Sequence, residues 1–193
     1  MGVPVIDTGP MTVTDFLAFT DSRPDDEKWE LIDGEPVLNA WPSRLHQIIV
    51  RNLLILLDGL AAKQGRSWEV LPGLGVRVSN TDLPVPDILV RPNAVPKSDP
   101  RGRECDDVIV AFEVLSPSTE SRDLRWKRQA YATLPSLTHY VVIAQDTVDV
   151  VVFVRDAGFV ERRLRSSQES VEVPTLNISL GLADIYRETG LGE

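Results

Sequence analysis

The sequence predicts an α/β protein built on a central mixed β-sheet flanked by helices, an α+β arrangement. Three observations predict it. One long segment, Ser43 to Gly65, repeats its apolar residues at helical spacing. Short runs rich in Val, Ile and Phe, at 86–92, 108–115, 138–144 and 148–155, have the composition of buried strands. The segments follow the order helix, strands, helix, strands, helix, which one sheet with helices packed on it satisfies.

Thr12 to Thr20 reads as a short helix that Thr12 or Thr14 can cap. In "KWELIDGEPVLNA", Trp29, Leu31 and Val37 alternate with polar residues around Asp33-Gly34, a strong hairpin turn signal. The long helix follows, and Gly65 can end it. "SWEVLP", "GVRVS" and "PDILVRP" are short strands separated by Gly, Asn, Asp and Pro. Pro92 to Asp106, rich in Pro and charge, is expected to be a mobile surface loop. The strand Val108–Leu115 is an almost unbroken apolar run, as in a strand buried on both faces. "SPST" makes a turn, and a helix runs on to about Leu134. "THYVVIA" and "VDVVVFVR" are strands around Asp146-Thr147, "FVERRLR" is a last strand, and a short helix lies near Leu182–Arg187.

With 193 residues the chain suits one domain over 1–193, large enough to bury a core without metal or disulfide staples. The single cysteine, Cys105, excludes an internal disulfide and suits a reducing compartment. No apolar run is expected to span a membrane, and no secretory signal is visible, so the expected location is the cytoplasm. A net charge of −9 argues against a constitutive nucleic-acid coat, although an enzyme acting on nucleic acid can carry an acidic site and local basic patches. Positive charge clusters at Arg122, Arg125, Lys127 and Arg128, and at Arg162, Arg163 and Arg165; the second cluster reads as a solvated face.

One charge stands out within the most hydrophobic strand. By alternation Ile109, Ala111, Glu113 and Leu115 share a face, and an ionised carboxylate buried there without compensation costs several kcal/mol. Either Glu113 lies at an exposed strand end, or a cation, a metal or a hydrogen-bond network compensates it. In the next helix Leu124, Tyr131 and Leu134 form an apolar stripe, and Lys127 lies inside it with Asp123 at its edge. An exposed Asp123–Lys127 pair would contribute only about 0.3–0.5 kcal/mol and leaves the inward placement unexplained. If the helix folds back along the strand, Lys127 can approach Glu113. Asp87, after Pro86, opens another apolar strand and supplies a second carboxylate. Two carboxylates with backbone carbonyls and water suit Mg²⁺ or Mn²⁺, and a nearby lysine can stabilise charge on a phosphoryl oxygen.

Asp87 followed by Glu113-Val114-Leu115 resembles the PD-(D/E)XK nuclease superfamily. Leu115 stands where that motif has lysine, and Lys127 on the next helix matches a migrated position known in the superfamily. "EVLSPST", "RDLRWKRQAYA", "LTHYVVI", "WELIDGEPV" and the helix "SRLHQIIVRNLLILL" are similar to a bacterial branch of restriction-endonuclease-like proteins, over most of residues 12 to 187. The resemblance implies a restriction-endonuclease-like core, with Asp87, Glu113 and the Val114 carbonyl as metal ligands and Asp87, Glu113 and Lys127 as catalytic residues. It also matches Glu30 to an acidic position sometimes found near such sites, the alternative being an exposed strand residue. His46 opens the long helix at a family-like position and reads as a cap or packing residue. Asp123 would orient Lys127, or is a surface helix charge.

Other chemistries lack support. His46 and His139 form no zinc motif, and Cys105 has no Cys-x-x-Cys partner. "GLG" at Gly73–Gly75 is followed by Val78 where a dinucleotide loop needs glycine, and no nucleophile elbow or phosphate-binding Gly-Lys-Ser/Thr loop occurs. The expected function is a Mg²⁺- or Mn²⁺-dependent endonuclease acting on DNA. The alternatives are a catalytically inactive nucleic-acid-binding or protein-interaction domain of the same fold, and a hydrolase using Asp87 and Glu113 as an acid–base pair, which needs no metal. A homodimer would suit cutting two strands, although no residue dictates one.

Overall fold

The apolar runs do assemble into one mixed sheet. The computed structural model describes residues 9–24, 26–93, 102–115 and 122–192, with Arg122 and Asp123 described by their backbone alone. In chain order the elements are α1 (Val13–Thr20), β1 (Trp29–Ile32), β2 (Glu35–Leu38), α2 (Arg44–Lys63), β3 (Trp68–Pro72), β4 (Gly75–Val76), β5 (Ile88–Pro92), β6 (Glu104–Cys105) and β7 (Val110–Val114). A π-helical segment (Arg122–Lys127) leads into α3 (Arg128–Ala132), then β8 (His139–Ile143), β9 (Val150–Val154), β10 (Glu161–Leu164), β11 (Ser170–Val173), β12 (Ile178–Gly181) and α4 (Leu182–Ile185).

The central sheet has six strands in the order β10-β9-β8-β7-β5-β3. Only β7 and β8 run parallel; the other neighbours are antiparallel. A parallel neighbour requires a crossover, and the segment containing the π-helix and α3 is that crossover. Both central strands are buried throughout, which is why their sequences show no polar alternation.

Two cores cover the two faces. On one, Ile49, Leu53, Leu57 and Ala61 of α2, with the β11–β12 hairpin and α4, pack against Ile88, Val110, Phe112 and Val141. On the other, Tyr131 and Leu134 of the crossover pack against Leu89, Ala111, Tyr140 and Phe153. A third, smaller core joins α1 and β1 through Val13, Phe16, Leu31 and Leu83. Leu31 and Leu83 exchange backbone hydrogen bonds of 3.2 and 2.9 Å, clamping the β1–β2 hairpin onto the segment before β5.

Local chemistry accounts for the element ends. Thr12 caps α1 by accepting from the Asp15 N–H, and Ser43 caps α2 by accepting from the His46 N–H. Asp33 and Gly34 both have positive φ, as a two-residue type I′ turn needs. Gly65, at φ 69°, follows the last turn of α2.

Several expectations need correction. By length and composition α2 could cross a membrane, contrary to the reading of the apolar runs; here it is a core helix with its apolar stripe against the sheet. Residues 94–101 of the expected mobile loop lie outside the described residues, but Glu104 and Cys105 pair with β4, and Cys105 is buried. Burial pushes the Cys105 thiol up to about 12, so it is an inert packing group. The expected single helix to Leu134 begins with a π-helical segment and ends sooner, and the "SPST" turn lies outside the described residues. Ile109 packs on the α2 side and not with Ala111; it precedes β7, which begins at Val110, so strand alternation does not extend to it. The β11–β12 hairpin was not foreseen; Pro174 and Asn177, the latter in the left-handed region, make its turn. The cluster of Arg162, Arg163 and Arg165 lies on edge strand β10 and just beyond it, where Arg163 and Arg165 pair with Asp149.

Candidate functional site

Sheet register brings the first two carboxylates together. Ile88 pairs with Phe112, so one further step sets Asp87 opposite Glu113 at the end of the β5–β7 ladder. By alternation both lie on the face of Leu89 and Ala111, beneath the crossover. The Val114 N–H donates to Asp87 Oδ2 at 2.8 Å, so a side-chain carboxylate satisfies the backbone donor at the end of the ladder. Two like charges facing each other across strands repel, and the neighbouring elements supply the compensation.

Lys127, from the end of the π-helical segment, compensates Glu113. Its ammonium, on a residue only 2 % exposed, donates to Glu113 Oε1 at 2.6 Å and to Glu30 Oε1 at 2.8 Å. Glu113 is therefore not at an exposed strand end; it is 4 % exposed and paired. Nor is Glu30 an exposed strand residue: it is fully buried. The Glu30 carboxylate also accepts from the Val85 N–H at 2.7 Å and from Asn39 Nδ2 at 3.0 Å. These two donors fix Glu30 as an anchor for the ammonium. The Trp126 indole donates to Asp33 at the tip of the same hairpin, a second tie beside Lys127.

His46 does more than cap or pack. Its Nε2 lies 3.1 Å from Asp87 Oδ2, and its Nδ1 is buried without a partner among the described residues. This geometry fits an imidazole that donates from Nε2. Burial pushes the Asp87 carboxyl up, but the hydrogen bond and charge of His46, the Val114 N–H and Lys127 outweigh it and hold the group below the usual aspartate value. The side chain of Asp123 lies outside the described residues, so its expected role beside Lys127 has no structural counterpart here.

Asp87, Glu113, Val114, Lys127 and His46 line one cavity of about 730 Å³. Its other walls come from α1, the hairpin and the segment between β2 and α2. Sequence reasoning missed Asn39, the Val85 N–H and Trp126, because none carries a charge or motif; only a fold that closes the hairpin over β5 brings them in. Among the described residues no three His, Cys, Asp or Glu side chains are grouped as a metal cage.

The comparisons with known proteins agree with this architecture. A family model described as "Uma2: Putative restriction endonuclease" matches residues 13–184. An uncharacterized protein of Synechocystis sp., slr1290, is 28% identical over 172 residues, covering 83% of this chain and 84% of its own. A solved structure described as a "putative nuclease belonging to DUF820", from Anabaena variabilis, has a TM-score of 0.75 at 18% identity over 92% of this chain and 98% of that one. At that identity the structural likeness speaks for the fold, a central mixed sheet flanked by helices.

Proposed function

We propose, for a chain that belongs to the Uma2 family of "putative restriction endonucleases", a divalent-metal-dependent endonuclease that hydrolyses DNA phosphodiester bonds. Family membership supports a nuclease-like function; the substrate, the metal and the residue roles are our reading of the site. The observation that carries it is a buried ammonium held between two carboxylates on the wall of a cavity that also holds Asp87.

The donor set fits a small hard cation. Asp87 and Glu113 offer carboxylate oxygens from facing strand positions, and Val114 would add its backbone carbonyl. Asp87 and Glu113 face each other across the two strands, and Mg²⁺ or Mn²⁺ between them would relieve the repulsion of like charges. When bound, the ion supplies Lewis acidity, making water nucleophilic near neutral pH and drawing charge from the phosphoryl group. His46 and the Val114 N–H hold Asp87 Oδ2 in place. Glu30 would hold Lys127 even with Glu113 serving as a metal ligand, leaving the ammonium placed to stabilise charge developing on a phosphoryl oxygen. This is the role of the motif lysine, reached from the crossover because Leu115 occupies the usual position.

The lack of a three-ligand group among the described residues favours one second reading, a catalytically silent nucleic-acid-binding or protein-interaction domain. Nicking of supercoiled plasmid decides between them. Wild type is expected to nick with Mg²⁺ or Mn²⁺ and not with EDTA, and Asp87→Asn and Glu113→Gln, checked for folding by circular dichroism, to be inactive. Nicking in EDTA would point instead to an acid–base carboxylate pair. No nicking of any DNA with metal present would leave the silent domain.

A further inference from the structure

We propose that the cavity accepts an unpaired nucleic-acid strand, one base of which stacks on Trp41; this rests on the nuclease reading and names its substrate class. Trp41 is 75 % exposed, and Leu38, three residues before it, is 49 % exposed. Trp41 lines the cavity that holds Asp87 and Glu113, and both Trp41 and Leu38 line an adjoining one of about 420 Å³. An indole left in water at the mouth of a charged cavity offers a π-face that every nucleobase can use.

The backbone that carries the ring is anchored beside the carboxylates. Pro42 restricts Trp41 to extended backbone. Two residues before it, Asn39 is fixed by a backbone bond to Lys28 O at 2.8 Å and by its own bond to Glu30. Five residues after it, His46 holds Asp87. One short segment therefore carries Trp41 between two residues bonded to the charged cluster.

Besides Lys127 and Arg103, two more cations, Arg23 and Lys28, line the same cavity. Arg23 lies over the Phe19 ring at 4.3 Å, and neither Arg23 nor Lys28 has a carboxylate partner among the described residues. In a chain of net charge −9, where Arg51, Arg66, Arg77, Arg91 and Arg103 are each paired with an acid, such cations suit a phosphate backbone. The form of nucleic acid follows from sterics. Inside a duplex both faces of every base are already stacked, so Trp41 can be used only by a base that is unpaired or turned out. A cavity of about 730 Å³ is of the size that encloses a small molecule or a nucleotide, not a double helix.

The test is binding, measured by fluorescence anisotropy in EDTA and again in Ca²⁺. The probes are a short labelled oligodeoxythymidylate, its duplex with oligodeoxyadenylate, and an abasic strand of equal length and charge. Oligodeoxythymidylate is expected to bind at least about tenfold more tightly than the duplex or the abasic strand, with Trp41→Ala erasing the difference and Trp41→Phe retaining part of it. Arg23→Gln with Lys28→Gln should weaken the base-bearing and abasic strands alike. Equal binding of duplex and single strand, no binding of either, or binding indifferent to Trp41→Ala overturns the proposal. So does sedimentation showing that Trp41→Ala breaks a dimer while strand binding is unchanged. Plasmid nicking separates the two readings. Duplex cleavage untouched by Trp41→Ala would keep the nuclease and reject the stacked strand, and Trp41-dependent strand binding without any cleavage would do the reverse.

Discussion

Lys127 carries the opposing demands of the site in one side chain. Its aliphatic stem belongs to the crossover, while its ammonium is shared by two buried carboxylates. From the sequence alone, Lys127→Met looks harmless to folding because the stem is preserved. The structure reverses that expectation: the substitution leaves Glu30 and Glu113 buried without their common cation, which is expected to cost about 3–5 kcal/mol. Adding Glu30→Gln should recover a large part of the loss, and urea melts of the two single variants and the double variant measure the coupling. Glu113→Gln is different, since Lys127 keeps Glu30; stability within about 1 kcal/mol of wild type, or above it, is expected, with divalent-ion binding by calorimetry lost. A large loss of stability with metal binding intact would mark Glu113 as structural.

At the scale of elements, β8 is the strand that pairs in parallel with β7 and so fixes the crossover above Glu113. It begins with His139, which is buried and bonded through Nδ1 to Thr138 Oγ1 at 2.9 Å. Burial lowers its pKa, only partly opposed by Asp156. A base whose folded pKa is depressed binds fewer protons folded than unfolded, so its contribution to stability falls as pH drops through the ordinary histidine value of about 6.5. Wild type should lose stability between neutral pH and pH ~5 more steeply than His139→Asn, in parallel urea titrations. Equal slopes would show that the imidazole titrates freely when folded. The π-helical segment is a second element-level device: it ends on Lys127, and such segments recur at functional sites because they re-aim one side chain within a helix.

On the scale of the whole molecule, the charged cluster is assembled from three units that meet only in the folded chain. The sheet gives Asp87 and Glu113, the crossover gives Lys127, and the α1–β1–β2 unit gives Glu30. That last unit is clamped by Leu31 and Leu83 and a small core of its own. Leu31→Ala should cost about 2–5 kcal/mol locally. Hydrogen exchange is expected to speed up at the amides of Leu31, Leu83 and Val85 while those of β7 and β8 remain protected. Uniform acceleration across the sheet would mean that the hairpin and the sheet unfold as one unit.

What the sequence by itself determined were features coded by local rules. Helical spacing set α2, the Asp33-Gly34 pair set the hairpin turn, and unbroken apolar runs set β5, β7, β8 and β9, since period and turn chemistry act within a few residues. Asp87, Glu113 and Lys127 were legible for a related reason: a charge in an apolar segment violates a local rule, and the violation needs a compensating partner. The tertiary structure alone decided which partners those are. In the sequence Glu30 reads equally as an acidic site position or an exposed strand residue, and His46 as a cap or packing residue; both are drawn to the charged cluster because the hairpin closes over β5 and α2 starts beside Asp87. The β11–β12 hairpin escaped notice although Val171, Val173, Ile178 and Leu180 alternate with polar residues, because its Pro174–Leu176 turn has no Asn-Gly or Asp-Gly pair and its buried side finds a partner only against α2 and the sheet. Pairing between distant segments depends on register and packing, and no window of the sequence contains either.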